Sequence, residues 1–279
     1  MSKPDQTYIA AMVKQALAED VSSGDITAGL IPSEKKAKAT VITREAMVVC
    51  GRAWAHEVFK QVDATLMLEW HSKDGDVKNP NDTLFTVAGC ARSILTAERC
   101  ALNFLQMLSA TATVTANYVE KLKGTEAKLL DTRKTIPLFR LAQKYAVTCG
   151  GGKNHRIGLS DAFLIKENHI AACGSIEKAV IHARSMHDDK LVEVEVESLD
   201  EFRQALAAKP DVIMLDNFSD SDIVSAVALK PAGIKIELSG NVDLNSIANY
   251  AKLGVDYISV GALTKHVQAI DLSMRLSKL

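Results

Sequence analysis

Residues 191–216, LVEVEVESLDEFRQALAAKPDVIMLD, place a helical pattern between two short apolar runs. In LVEVEV (191–196) valine alternates with glutamate, Leu199–Ala208 has helical spacing, and VIMLD (212–216) has strand length. Such a unit pairs its two strands in parallel through a right-handed crossover. The same texture extends outward, with apolar runs at 127–131 (AKLLD), 162–166 (AFLIK), 234–239 (IKIELS) and 257–261 (YISVG). Helical patterns lie between them at Ile176–His187 and Leu244–Ala251. From residue 162 onward the runs recur at roughly 20–30 residues, the length of a βα unit. Six runs, with room for a seventh strand that the pattern does not reveal, predict an incomplete (β/α) barrel. A doubly wound open sheet is the alternative, and both place functional groups at the carboxyl ends of strands.

The first hundred or so residues read differently. Ile9, Met12, Val13, Ala16 and Leu17 have amphipathic helix spacing, followed by the turn-rich EDVSSGDITAGLIP. Strand-like runs follow at 37–50 and 83–88, with a helix predicted at Ala53–Val62. Residues 91–122 read as helix in two segments. Ile94, Leu95, Leu102, Leu105 and Leu108 form the apolar stripe of the first, and the small residues of SATATVTA permit close packing in the second.

The 279 residues suit one large barrel-like domain, or a barrel with a smaller companion. A formal net charge of -1 gives no global field toward nucleic acid or membrane, so neither is expected as a partner. The N-terminal MSKPDQTYIAAMVKQ has no apolar core of signal-peptide length, and no stretch is long and apolar enough to span a bilayer. The five cysteines, Cys50, Cys90, Cys100, Cys149 and Cys173, show no CxxC spacing and read as reduced thiols in a cytoplasmic protein.

Basic character is concentrated in residues 131–169, DTRKTIPLFRLAQKYAVTCGGGKNHRIGLSDAFLIKENH. Arg133, Lys134, His155, Arg156 and Lys166 sit beside strand-like runs, which suits an anion pocket better than a solvated helix face. Gly150–Gly152 follow a helical pattern and read as a helix C-cap, because a phosphate loop needs GxxxxGK[ST] opening a helix. No tight histidine spacing points to zinc. Lys166, closing AFLIK, suits anion binding, general acid chemistry or a Schiff base. Glu193, Glu195 and Glu197 share one strand face and Asp216 closes the next strand. Carboxylates on neighbouring strand ends suit Mg²⁺ or sugar hydroxyls. Ser239-Gly240-Asn241 and Gly261-Ala262 close the last two strands, each with a helix expected next, and their small residues let backbone N–H groups approach a phosphate. The chemistry implied joins a polycarboxylate to a phosphorylated sugar associated with Mg²⁺.

These residues resemble the quinolinate phosphoribosyltransferase (decarboxylating) family nearly end to end. The likeness rests on EDVSSGDIT, TAERCALNFLQMLSATAT, DTRKT, KYAVTCGGGKNHRIGLSDAFLIKENHI, VEVEVE, IMLDNF, SGN and ISVGALTKHVQAIDLSM. The resemblance implies an N-terminal α/β sandwich over 1–112, joined by the tail 268–279, and an open α/β barrel over 113–267. It implies transfer of phosphoribosyl from phosphoribosyl pyrophosphate to quinolinate with loss of CO₂, giving nicotinate mononucleotide and pyrophosphate. Arg133, His155, Arg156 and Lys166 would hold quinolinate with Lys134 nearby, and Arg99 would come from the neighbouring subunit of a homodimer or a larger assembly of dimers. Lys134, Lys166, Glu195 and Asp216 would be the catalytic set. Glu195 and Asp216 would face the ribose and Mg²⁺, and Ser239, Gly240, Asn241, Gly261 and Ala262 would cradle the phosphate.

Two departures from the family pattern stand out. Leu138 replaces the usual glycine after DTRKT, and Cys100 replaces the threonine after Arg99. Neither removes a charge. The rival readings are a transferase acting on another aromatic carboxylate, a barrel aldolase forming a Schiff base on Lys166, and a phosphosugar sensor without turnover.

Overall fold

The computed structural model describes residues 3–278. In chain order its elements begin with α1 (Gln6–Val21), β1 (Lys36–Thr43), β2 (Met47–Val48), α2 (Arg52–Val62), β3 (Met67–Trp70), β4 (Val77–Lys78), β5 (Thr83–Cys90) and the long α3 (Ala91–Lys121). They continue with β6 (Lys128–Leu130), α4 (Arg140–Cys149), β7 (Ala162–Ile165), α5 (Glu167–Cys173), α6 (Ile176–Met186), β8 (Leu191–Val196) and α7 (Leu199–Ala208). The last are β9 (Val212–Asp216), α8 (Asp220–Leu229), β10 (Lys235–Ser239), α9 (Ile247–Lys252), β11 (Tyr257–Ser259), α10 (Ala262–Lys265) and β12 (Leu272–Lys278). A short 3₁₀ turn lies at Ala28–Leu30.

Two compact units result. The first gathers the described residues up to Ala116, then Leu141–Gly151 and His266 onward; the second is Asn117–Arg140 and Gly152–Lys265. The segment Leu141–Gly151 thus sits with the first unit, although the sequence reading counted it with the barrel. Its Tyr145 accounts for this, bonding Asp74 at 2.9 Å and standing 6.1 Å from the Trp54 ring, both first-unit residues.

In the first unit an antiparallel sheet runs β12-β1-β5-β3. β1 alternates buried and partly exposed residues, so one face is turned to the core. That core holds Trp54, Phe59, Leu84 and Phe85, with Phe59 edge-on to Phe85 at 5.7 Å. Each such fully buried side chain contributes about 1.5–3 kcal/mol. α1 starts on an Asp5 cap and lies against α2.

Residues 91–121 form one continuous helix, not two segments. The small-residue stretch stays helical because its hydroxyls are tied locally. Thr111, Thr113 and Thr115 donate to the carbonyls one turn earlier. Ser109 and Thr113 also reach the chain around β2, with Ser109 Oγ both accepting from Cys50 N and donating to Cys50 O at 3.0 Å. Thr113 Oγ1 accepts from Val48 N at 2.8 Å.

The second unit is a six-stranded parallel sheet in the order β6-β11-β10-β9-β8-β7, an open barrel as expected. α5 and α6 link β7 to β8, and α7, α8 and α9 each link the next pair of strands up to β11. β8, β9 and β10 are buried through their middles, and β9 and β10 emerge to partial exposure at their final residues. Side chains at the carboxyl ends therefore reach solvent while their strands remain fixed. Lys153 adds a parallel bridge to Leu130 at the β6 edge.

The glycine run acts as a helix stop. Gly150 N donates to Ala146 O at 3.0 Å, and Gly151 has φ 88°. A Cβ on Gly150 would overlap the Ala112 carbonyl of α3 and lie 2.7 Å from Thr115 Cβ. Gly150→Ala is therefore expected to destabilise the first unit by about 1–3 kcal/mol, read as a lower denaturant midpoint with an unchanged slope.

Candidate active site

The strand exits of the second unit converge on a cavity of about 300 Å³, lined by Thr132, Arg133, Lys134, His155, Arg156, Lys166, Glu195, Ser239 and the deeper Glu237 and Ser259. All five basic residues expected from sequence share it. Lys166 Nζ lies 2.5 Å from Glu195 Oε2, so a cation from one strand end and an acid from the next form a pair. The sequence reading had placed these two in separate zones. Burial first, and the Arg133 charge second, pull the Arg156 guanidinium below its usual value, while Glu193, Asp161 and Glu195 oppose the shift.

The two cation-bearing loops are fastened to each other. Asp131, fully buried at the β6 exit, accepts from Asn154 Nδ2 at 2.6 Å and His155 N at 2.9 Å. Arg140 spends its guanidinium on the same loops, donating to Thr135 Oγ1 (3.1 Å), Ile157 O (3.2 Å) and Arg133 O (3.4 Å). The buried Thr264 donates to Lys134 O at 2.8 Å. Sequence reasoning gave Asp131, Arg140 and Thr264 no role. Their bonds depend on loop conformation, which spacing does not encode.

Along β8 and just past its end the glutamates grade from inside outward: Glu193 is 3% exposed, Glu195 is half-buried and Glu197 is exposed. Glu193 meets His155 beneath the cavity, with Oε2 2.9 Å from His155 Nε2, and Glu237 Oε2 of β10 lies 3.6 Å from the same nitrogen. The potential ligand atoms of these three residues lie within 4.8 Å of one another, a cluster invisible in the linear spacing of histidines. Glu237 was read only as part of a strand. Burial, then the Glu193 charge, holds the Glu237 carboxyl well above the usual carboxylate range, against a Ser259 hydrogen bond that favours ionisation.

Asp216 closes β9, where its Oδ2 accepts from Asn217 Nδ2 at 3.0 Å. Its strand neighbours in register place it opposite Ser239. Gly240 has φ 100° and Asn241 φ 47°, and a Cβ on Gly240 would overlap the Asn217 side chain. The helix expected directly after this loop starts only at Ile247, because Asp243 and Ser246 first close a side-chain turn. Gly261 packs against the cation loop, where a Cβ would lie 3.1 Å from Lys134 Cδ. Ala262 opens the four-residue α10.

The two departures have distinct settings. Leu138 adopts φ 64°, the left-handed region that favours glycine, and is 87% exposed. Cys100 is buried, and burial with the charges of Asp20 and Glu19 pushes its thiol up to about 11, so it is a poor nucleophile. Arg99 beside it is exposed on α3, in the first unit.

A parallel open barrel whose exits carry cations, carboxylates and a glycine loop is built to handle a small polyanion. The profile described as "Quinolinate phosphoribosyl transferase, N-terminal domain" matches residues 25–109, and that of the C-terminal domain matches 111–275. A probable nicotinate-nucleotide pyrophosphorylase (carboxylating) of Bacillus subtilis is 40% identical over 92% of this chain and 89% of its own. A quinolinate phosphoribosyltransferase (decarboxylating) of Nicotiana tabacum is 38% identical over 97% of this chain and 83% of its own. The solved nicotinate-nucleotide pyrophosphorylase of Francisella tularensis superposes with a TM-score of 0.95 at 53% identity, covering 99% of this chain and 98% of that one. The chain belongs to the quinolinate phosphoribosyl transferase family.

The raised Glu237 carboxyl has a consequence for stability. The native state binds that proton more tightly than the unfolded chain, so folding stability falls as pH rises from the ordinary carboxylate range through the native value. Glu237→Gln removes the titration. Its melting-temperature advantage over the parent should grow between about pH 4 and about pH 8, and a difference independent of pH would refute the assignment.

Proposed function

We propose that this chain transfers the phosphoribosyl group of phosphoribosyl pyrophosphate to the ring nitrogen of quinolinate, with loss of the neighbouring carboxylate as CO₂. The products are nicotinate mononucleotide and pyrophosphate, in the biosynthesis of NAD. One observation supports the reading above the others. Arg133 Nε is buried at the cavity and has no hydrogen-bond partner among the described residues, in a pocket that also holds Lys134, Arg156 and Lys166. A buried guanidinium donor without an acceptor is costly unless an anionic ligand meets it. A dicarboxylate does so with more of these cations than a monocarboxylate can, which favours quinolinate over a singly charged acid.

The mechanism follows from the placement of charge. Arg133 and Arg156 grip carboxylate by paired N–H donors, and Lys134 and Lys166 add mobile charges. The grip sets the angle at which the pyridine nitrogen approaches the sugar and restricts other geometries. As pyrophosphate leaves, the ribose gains oxocarbenium character, which the carboxylates of Glu195 and Asp216 favour. Loss of CO₂ then leaves an electron pair on the carbon beside the positive ring nitrogen, and a proton completes the product. Backbone amides of Ser239–Asn241 and of Gly261 and Ala262 suit the sugar phosphate.

Glu195 and Asp216 also suit a divalent cation, on the chemistry of the donor set. They are only two carboxylates, one already shared with Lys166, so they fit Mg²⁺ arriving with substrate phosphate rather than a closed protein cage. Bound there, Mg²⁺ would neutralise charge on the departing pyrophosphate. The protein's setting would be cytoplasmic, and its working form a homodimer in which Arg99 completes the partner's site.

Formation of nicotinate mononucleotide and CO₂ from quinolinate tests the reading, with turnover expected to stop in excess chelator. Arg133→Lys keeps the charge but not the fork, and should lose more than about tenfold in kcat/KM. Near-parental kinetics in that variant would remove Arg133 from the substrate grip.

The composite site has its own test. Arg99→Ala and Lys134→Ala homodimers should both be nearly inactive, and subunit exchange between them should restore activity toward roughly a quarter of the parent, since one site in each mixed dimer is intact. Verified exchange without recovery would place Arg99 outside the partner's site.

A further inference from the structure

Arg140 does not line the cavity, yet it bonds to both of the loops that carry the cavity's arginines. It is partly buried at the start of α4, and its three guanidinium nitrogens are all in use. Nε donates to Thr135 Oγ1 at 3.1 Å, Nη1 to Ile157 O at 3.2 Å and Nη2 to Arg133 O at 3.4 Å. Thr135 follows Arg133 and Lys134 after β6, and Ile157 follows His155 and Arg156 before β7. The two shorter bonds alone therefore reach both loops.

The acceptors are held in their turn. Arg133 O also accepts from Thr135 N at 3.0 Å, and the Ile157 N–H donates to Asp161 Oδ2 at 2.6 Å. Asp131 joins the same two loops through Asn154 Nδ2 and His155 N. In the chain, Arg133 and Lys134 lie between Asp131 and Thr135, and Arg156 lies between His155 and Ile157. Each arginine-bearing stretch is thus fastened to the other on both sides of its cation, by Asp131 before it and by Arg140 after it.

The tie works against a force. The Arg133 charge opposes that of Arg156, so loops released from each other would let the two guanidiniums move apart. A ligand with one carboxylate can follow either loop. A ligand with two neighbouring carboxylates that engages both loops needs the spacing set beforehand, or it must spend binding energy on setting it. Only a planar group with several divergent donors can span the loops, whereas a lysine donates from a single point.

We propose that Arg140 is a positioning residue: by tying the Arg133 loop to the Arg156 loop it sets the spacing of the two guanidiniums for a vicinal dicarboxylate, and so selects that class of substrate. The inference deepens the proposed function, on which its substrate rests, and concerns the quinolinate half of the site only.

Steady-state kinetics of the full chain test it. Arg140→Lys should lose at least about tenfold in kcat/KM for quinolinate, chiefly through KM, while KM for phosphoribosyl pyrophosphate changes by less than about twofold. In an Arg133→Lys background the same change should cost less than about threefold, because one member of the pair is already gone. Additive losses in the two backgrounds, an equal rise in both KM values, or parental kinetics in Arg140→Lys would overturn the proposal.

A second pair of variants leaves Arg140 untouched. Thr135→Val removes the acceptor of Nε in a side chain of similar shape, and Thr135→Ser keeps the hydroxyl. The Val variant should raise the quinolinate KM at least about threefold, and the Ser variant should stay within about twofold of the parent. A Val variant equal to the parent, or a Ser variant as impaired as Val, would overturn the tie even if Arg140→Lys failed to fold. A parent that does not turn over quinolinate would overturn the proposed function and this inference with it; turnover in the parent that persists unchanged in the variants would overturn this inference alone.

Discussion

Arg133, Lys134, Arg156 and Lys166 share one small cavity, and like charges so close repel in a partly desolvated setting. Burial first, and the Arg133 charge second, hold the Arg156 guanidinium below its usual range. The fold offsets the repulsion with acids set behind and beside the cations. Glu195 neutralises Lys166 directly at 2.5 Å, Asp131 fastens the His155 segment, and Glu193 stands behind the imidazole. A dianionic ligand replaces part of this internal compensation with charge of its own. The cavity is thereby kept folded when empty and remains attractive to an acid when it fills.

Holding cations in place also requires stiff loops. Arg140 bonds three acceptors on two loops, which only a planar, many-donor group can do. Thr264 ties the same loop to the residues after β11. Leu138 carries backbone strain, because a side chain in the left-handed region costs about 1 kcal/mol. That strain lies at the exposed end of the DTRKT loop, away from the bonds that fix Arg133 and Lys134.

Much of the fold was legible. All six apolar runs of the second half became strands, because parallel strands covered on both sides need continuous apolar residues. Leu199–Ala208 is a helix at the boundaries its spacing marked. The short β3 and β4 were missed, since two to four residues with exposed positions give no alternation to detect. The division of residues 91–122 failed for a related reason. SATATVTA continues the helix because its hydroxyls bond to carbonyls a turn back and to the β2 segment. The site was legible where charged residues stood at strand ends. It was illegible at Arg140 and Glu237, whose roles arise from partners distant in the chain.

By itself the sequence determined which residue types stand at each strand exit, and so the kind of ligand the site can take. It ordered them as cations, then acids, then small residues. Only the tertiary structure decided how those groups face one another. The sheet sets β6 beside β11 and leaves β7 at the far edge, so the cations of the β6 exit adjoin the glycine loop after β11 while Lys166 stands beside Glu195. The physical reason lies in strand pairing. Apolar patterning fixes that a segment is a strand, but its neighbour is chosen by hydrogen bonds and packing between segments far apart in the chain.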